Sequence, residues 1–556
     1  MRCSVEGEPT PTPSSISGDN VALIDRPVKW LRMSERDSRW IIWSFALAAA
    51  VYFIFIGATE TGPVNQWCQD VFLLLDGGWR ILNGQTPYRD FYLALGPLEY
   101  MITAGGMLLT NAGPQGIAIG NVLFGVTVGV WGWLLSRRRM LAVPALLVTA
   151  WLILTATSPT PLGSAPNMMS CAMIYNRHGY ALLGIVLVEC AFSSARSRFW
   201  GGASSGIALV LMAFLKLNFF GFAGLLLLAS VPVRREEIPR AWGFLAGLAC
   251  TAVAFAFYLR FAISAFLADM WPAIQAREAS LSLAGIPGEI AGRPEVATLA
   301  IMTAIVVLLL ARVGVRQRYV VRVSLLGGIV IAIGPLLSRT NFGEAISPLV
   351  TLWAIVLLTL LTAAYPQSNE KVAICAVVAL SLGGVCAGFL QDAQSLRTLL
   401  QYQASSLRSA GVSIASPGMD RLRFYDSNWD TFNFRFDKGL LVASYVNDGL
   451  GLLEKLSTQD ESVLVLGFNN PFSYVLRRKP ALGGGTWLRP GDNFPKNRLL
   501  EPGLVFGNAD LVMVPSYPSS VQQSNAELAS AYHPYLSRHF TFVDSSQWWA
   551  LYRRNR

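Results

Sequence analysis

The chain has 556 residues, of which 53% are hydrophobic and only 14% charged, with a mean hydropathy of +0.44; soluble domains carry about 25% charged residues, so an ordinary soluble protein is excluded. The net charge of +10, from 44 Lys+Arg against 34 Asp+Glu, lies largely in short clusters between apolar runs, which membrane topology explains without invoking nucleic acid. The 7 cysteines, at 3, 68, 171, 190, 250, 375 and 386, contain no CxxC pair, so neither a disulfide framework nor a zinc site is indicated.

Residues 1–39 are polar, with Pro and Ser near the start, and the first apolar run covers 40–58. That run begins too late and is too long for a cleaved signal peptide. Arg26, Lys29, Arg32, Arg36 and Arg39 precede it, which predicts a cytoplasmic N-terminal segment, because short cytoplasmic loops are enriched in Lys and Arg. Candidate spans follow at 117–135, 141–157, 178–193, 203–215, 219–232, 241–262, 297–312, 323–337, 345–364 and 372–390. With the first, these make roughly 11 crossings, each of a length that suits helix, since lipid offers no partners to the backbone.

Alternate loops stay basic: Arg137, Arg138 and Arg139; Arg196 and Arg198; Arg234, Arg235 and Arg240; Arg312, Arg316, Arg318 and Arg322; Lys371. On this pattern the loops at 59–116, 158–177, 263–296 and 338–344 are external, and so is everything after residue 390. The two short spans at 203–215 and 219–232 read either as a hairpin turning at Lys216 or as one kinked helix; the later basic loops favour the hairpin. From 391 to 556 the composition becomes that of a small water-soluble α/β domain. A helix is expected over 441–456, with Val442, Tyr445, Val446, Leu453 and Leu456 on one face, and strands over 462–468, 510–515 and 548–552. Gly483, Gly484 and Gly485 read as a flexible turn. The expected architecture is thus a polytopic α-helical membrane domain over 40–390 followed by an external α/β domain.

Chemistry is expected in the external stretch at 70–97, DVFLLLDGGWRILNGQTPYRDFYLALGP, too charged to span and too apolar to float free. Asp76 and Arg80 stand four apart and would pair on a helical face. Asp90 bracing the loop through Arg89, or touching substrate, are both open. Asp70, then Arg80, Gly84, Pro87, Tyr88, Arg89, Asp90 and Gly96-Pro97 form a pattern that resembles the first external loop of bacterial GT-C fold glycosyltransferases of the dolichyl-phosphate-mannose-protein mannosyltransferase-like superfamily. Their loops carry an acid after the first span, a short helix ending near Gly, then Pro-Tyr-x-Asp-Phe and a Pro.

The resemblance implies transfer of a sugar from a polyprenyl-phosphate-linked donor to an envelope glycan, lipid or protein acceptor on the periplasmic face of the bacterial inner membrane. It implies inversion at the anomeric carbon, with Asp70 as general base. This sequence departs from the pattern in lacking a second acid beside Asp70 or anywhere in 158–177, so a divalent metal held by paired carboxylates stays open.

The residue chemistry agrees in kind. An acceptor hydroxyl loses its proton as it attacks, and a carboxylate in reach contributes typically about 10²- to 10⁴-fold. A phosphate leaving group calls for cations, which makes Arg80, Arg89, Arg177, Lys216 and Arg339 the candidate substrate contacts, with Asp90 and His178 as hydrogen-bonding partners. Lys216 is the lone cation between Gly201 and Val233, and an ionisable residue at such depth is a functional hypothesis by default. Arg177 is equally an interfacial anchor and His178 an interhelical histidine; Arg339, Asn341 and Glu344 are equally a polar turn. Two other classes remain: a transporter or lipid flippase, which would carry its charge in broken helices at the midplane, and a non-catalytic assembly scaffold.

Overall fold

A computed structural model describes residues 61–556 except 138, 141, 163, 193–197, 231–236, 277–286, 289–291, 340–347, 365–370, 405–410, 427–437, 520 and 556, with backbone alone at 61–63, 339, 363–364, 371–382, 384–385, 387 and 403–404. The expected first span, at 40–58, lies outside the described residues. A short strand, β1 (Thr61–Val64), leads into α1 (Asp70–Leu82) and α2 (Leu98–Leu108), which lie against each other because α1 presents Gly77 and Gly78 to α2. A Cβ on Gly77 would stand 2.0 Å from the Tyr100 ring.

Helices then fall on each of the ten remaining expected spans: α3 (Gly116–Ser136), α4 (Ala142–Thr157), α5 (Ile174–Ala191), α6 (Arg198–Ala213), α7 (Leu217–Ser230), α8 (Ile238–Tyr258), and, after α9 (Ile263–Ala276), α10 (Pro294–Arg312), α11 (Gln317–Arg339), α12 (Pro348–Ala364) and α13 (Lys371–Ala404). Among the described residues α3, α8, α10 and α11 are long and apolar enough to cross a membrane by themselves, and α4, α7 and α12 are shorter apolar helices. The chain is a polytopic α-helical membrane protein.

α5 is its central element, with every residue buried. At its last turn Glu189 takes Arg139 at 2.6 Å and Arg240 at 3.3 Å, two arginines from the basic loops. At its first turn stand Asn176, Arg177 and His178, so the basic loops and these residues lie at opposite ends of one helix, roughly 16 Å apart along the axis from His178 to Glu189. α6 and α8 cross through Gly202, Gly206, Gly243 and Gly247, where a Cβ would stand 1.9–2.3 Å from a facing carbonyl oxygen. Small residues let membrane helices pack at backbone distance.

α6 and α7 form the hairpin expected around Lys216. α13 runs 34 residues straight through position 391, where the composition turns polar, because QDAQSLRTLLQYQA contains neither Pro nor Gly to stop it. The polar half stands against the second external loop. Gln391 donates to the Ser164 carbonyl at 3.2 Å, and Ser395 meets Thr160 at 3.1 Å.

The remainder forms an α/β unit. β2 (Val412–Ser413) and β3 (Leu422–Phe424) pair with each other antiparallel, and β3 pairs parallel with β1. α14 (Gly439–Leu456) buries Val442, Tyr445, Val446 and Leu453 as the periodicity predicts. β4 (Val463–Val465), α15 (Phe472–Val475), α16 (Pro502–Phe506), β5 (Leu511–Pro515), α17 (Gln522–His539), β6 (Phe540–Ser545) and β7 (Trp549–Arg554) complete it, with strand order β4-β5-β7-β6. Within this sheet β4 and β5 pair parallel, and β5–β7 and β7–β6 pair antiparallel.

This unit sits on the segment at 70–100. Tyr92 N–H donates to the Gly484 carbonyl at 2.8 Å, Thr486 to the Tyr100 hydroxyl at 2.9 Å, and Trp79 to the Arg478 carbonyl at 2.8 Å. Gly483 and Gly484, with φ of +87° and +67°, are therefore a docking turn; Gly483 N–H donates to the Asp90 carbonyl at 2.6 Å. The loop at 70–97 is folded between helices and this cover, which absorbs the apolar content that composition alone assigns to a membrane surface.

Candidate functional site

Asp70 is the first residue of α1 and is partly exposed. Its N–H donates to the Trp67 carbonyl at 2.9 Å, and Trp67 turns the chain with φ +49°. Just before it, Asn65 fastens the loop at 158–173. Its N–H donates to the Met169 carbonyl at 3.0 Å, its Oδ1 accepts from Met169 N–H at 2.8 Å, and its Nδ2 donates to the Asn167 carbonyl at 2.9 Å. That clamp brings Cys171 to Asp70.

The Cys171 thiol is pushed up to about 12, by burial first and then by the charges of Glu99 and Asp70. Cys171 is half-buried and lies within electrostatic range of both carboxylates. Glu99, in the first turn of α2 and 1% exposed, accepts through Oε2 from or shares a proton with His178 Nδ1 at 2.7 Å. The imidazole lies on Phe124, centroids 4.4 Å apart. Oε1 of Glu99, Nε2 of His178 and Oγ1 of Thr103, one helical turn beyond Glu99, have no hydrogen-bond partner among the described residues.

Lys216 enters from the hairpin turn. Its Nζ donates to Asn176 Oδ1 at 3.0 Å and lies 5.0 Å from the Tyr175 ring centroid. The turn itself is held by Gly96 N–H on the Leu215 carbonyl and Leu98 N–H on the Phe214 carbonyl, both at 3.0 Å. A Cβ at position 96 would stand 1.9 Å from the Phe214 oxygen, which is why glycine precedes proline there. Asp70, Glu99, His178 and Lys216 thus come from α1, α2, α5 and the α6–α7 turn to one end of the bundle, opposite the arginines around Glu189.

Other expected contacts lie elsewhere. Arg80 and Asp76 are not a surface pair: both side chains are 0% exposed, Nε to Oδ2 is 2.8 Å, and Arg80 Nη1 also donates to Gln85 Oε1 and to the carbonyls of Ala481 and Gly483. Burial drives the Asp76 carboxyl upward and the Arg80 charge opposes it. Arg80 joins the loop to its cover. Arg89 is exposed and pairs with Asp90 at 3.0 Å, while Asp90 Oδ2 accepts from Thr86 N–H at 2.6 Å, closing the Pro-Tyr-Arg-Asp turn. Arg177 donates to the Thr160 carbonyl and hydroxyl and pairs with Asp392 at 3.3 Å, bracing α5 to α4 and α13. Arg339 closes α11, and Asn341 and Glu344 fall outside the described residues.

The segment at 263–296 supplies α9, whose Phe266 packs on Tyr88 at 5.1 Å and whose Asp269 accepts from Leu93 N–H at 3.2 Å. Burial pushes the Asp269 carboxyl up to about 7, the Leu93 hydrogen bond working against it. Trp271 is exposed; Arg277, Glu278 and Glu289 lie outside the described residues.

Glu99 is a carboxylate that sequence reasoning did not single out. The available signal was a lone acid in the apolar helix LEYMITAGGML, directly after Gly-Pro. No group of three or more His, Cys, Asp or Glu is placed to hold a metal ion among the described residues, and the Glu99–His178 pair engages its members with each other. The residues described do not assemble a divalent-metal donor set.

No family model matches the chain, and no curated protein does. Among solved structures the chain is similar to ArnT from Cupriavidus metallidurans bound to undecaprenyl phosphate, at 14% identity and a TM-score of 0.41 over 93% of this chain and 98% of that one. It is also similar to the same protein in the apo state, at 14% identity and a TM-score of 0.36 over the same shares.

Proposed function

We propose that the protein is a GT-C-type integral-membrane glycosyltransferase that moves a sugar from a polyprenyl-phosphate donor to an envelope glycan, lipid or protein acceptor. The observation that carries this reading is the gathering of Asp70, Glu99, His178 and Lys216 at the end of the bundle remote from the arginine-rich loops. The positive-inside rule then puts the chemistry on the periplasmic face of the inner membrane, with the N-terminus cytoplasmic.

Asp70 takes the proton of the acceptor hydroxyl as it attacks the anomeric carbon from the face opposite the phosphate, so the configuration inverts. The partly exposed position of Asp70 leaves it open to an acceptor arriving from outside. Lys216 offsets the charge that develops on the departing lipid phosphate, and as an ammonium held by Asn176 it does so without reorganising. The hydrogen-bonded Glu99–His178 pair keeps a fixed polar wall at this end of the bundle. Charge gathered at a helix end, beneath a folded cover, favours an enzyme over a transporter with its charges at the midplane.

The test is transfer of label from a panel of undecaprenyl-phosphate-linked hexose, aminohexose and pentose donors to extractable glycan in membranes. Asp70→Asn is expected to lower turnover about 10²- to 10⁴-fold, with the folded protein retained. Undiminished turnover by folded Asp70→Asn would remove the assignment.

A further inference from the structure

The covering α/β unit touches the base end of α1 through one buried amide. β4 is followed, after Leu466, by Gly467-Phe468-Asn469-Asn470-Pro471, beyond the carboxyl edge of the parallel β4–β5 pair. Asn469, 5% exposed, donates through Nδ2 to the carbonyl of Gln69, the peptide group bonded directly to the nitrogen of Asp70. The same carbonyl accepts Phe72 N–H at 3.1 Å, opening the first turn of α1. The loop that carries Asn469 is itself fixed. Phe468 N–H donates to Asn525 Oδ1 at 3.0 Å and its carbonyl accepts Leu488 N–H at 3.2 Å; Asn470 Nδ2 donates to the Val463 carbonyl at 3.0 Å and its Oδ1 accepts from Phe472 N–H at 3.2 Å.

We infer that Asn469 is a positioning residue for Asp70, through which the C-terminal α/β unit completes the active site. This deepens the glycosyltransferase reading and rests on it for its effect on turnover. The physical ground is the Gln69–Asp70 peptide itself: its N–H donates to the Trp67 carbonyl at 2.9 Å, while its carbonyl accepts from both Phe72 N–H and Asn469 Nδ2. Gripping the Gln69 carbonyl holds the plane of the peptide that leads into Asp70, and with it the direction of the carboxylate. A misplacement of about 1 Å at a reacting group costs on the order of 10²-fold. The sequence places Asn469 almost 400 residues from Asp70, so only folding joins them.

The test compares the full-length protein with Asn469→Ala and Asn469→Asp in nanodiscs. Hydrogen exchange in peptides covering 68–75 needs no substrate, and both variants are expected to exchange faster there at neutral pH while other helices keep wild-type rates. In the transfer assay kcat is expected to fall about 10- to 100-fold with the donor KM and the thermal midpoint unchanged. Asn469→Asp regains kcat relative to wild type as pH is lowered, because a protonated acid again donates to the carbonyl, whereas Asn469→Ala does not. Wild-type exchange and kcat in both variants would overturn the inference, as would a kcat loss matched by a drop in thermal midpoint in both, which assigns Asn469 to the fold. If Asp70→Asn itself retains turnover, the functional reading fails instead, and the exchange result still decides whether Asn469 holds the first turn.

Discussion

Replacing Arg80 by methionine separates a contact in the fold from a contact with substrate. Arg80→Met keeps the length of the side chain but leaves Asp76 buried without its ion-pair partner, and removes donors from Gln85 Oε1 and from the carbonyls of Ala481 and Gly483. Breaking one side of a buried pair costs about 3–5 kcal/mol. Adding Asp76→Leu removes the stranded carboxyl but not the stranded Gln85 Oε1 and Gly483 carbonyl, worth about 1 kcal/mol each, whereas the Ala481 carbonyl keeps Gln85 Nε2 at 3.1 Å. The double variant should therefore regain part of the loss and remain about 2 kcal/mol below wild type. The assay is the thermal midpoint in nanodiscs for both single variants and the double, with limited proteolysis between the first loop and its cover. The reasoning fails if Arg80→Met is as stable as wild type and instead raises the donor KM, which would return Arg80 to the substrate.

Three further outcomes follow from the same geometry. Lys216→Met is expected to raise the donor KM about tenfold, the worth of one hydrogen bond to a charged group, with the fold retained; an unaltered donor dependence would leave Lys216 a strut on Asn176. Gly96→Ala forces a Cβ to within 1.9 Å of the Phe214 oxygen, so overpacking plus two displaced backbone hydrogen bonds should cost about 3–5 kcal/mol. A wild-type midpoint would show that the hairpin turn gives way freely. For Asp269, whose carboxyl sits at about 7 against an ordinary 3.8, the folded state holds the proton more tightly. Stability therefore falls as pH climbs from about 4 to about 7 and stays lower above. Asp269→Asn keeps an acceptor for Leu93 and lacks that fall, so it should be more stable at pH 8 by up to about 4 kcal/mol and equal to wild type near pH 4. Parallel midpoint-against-pH curves for the two proteins would refute it.

Much of the architecture was legible in the chain because hydropathy is a local property. Apolar runs bounded by arginines mark helices whatever they pack against, and ten of those expected were found where the residues are described. The parallel strands of the α/β unit were equally plain, being continuous apolar runs such as SVLVLGF. What local composition could not convey was which polar residues are shared between distant segments. Arg80 and Arg177 looked available for phosphate because, beside the nearer Asp76 and Thr160, each has partners hundreds of residues away, the carbonyls of 481 and 483 in one case and Asp392 in the other.

By itself the sequence determined a multispanning helical protein, its C-terminal α/β unit, the hairpin at Lys216, and Asp70 as the residue to examine first. Tertiary structure decided which of the other charges stand with it. It supplied Glu99 as a second carboxylate from α2, paired it with His178 at the buried end of α5, delivered Lys216 through the close approach that Gly96 permits, and brought Asn469 onto the peptide before Asp70. The physical reason is that a buried charge or amide must find a partner or carry a large desolvation cost, and in this chain those partners are supplied across the fold, beyond the reach of any local pattern.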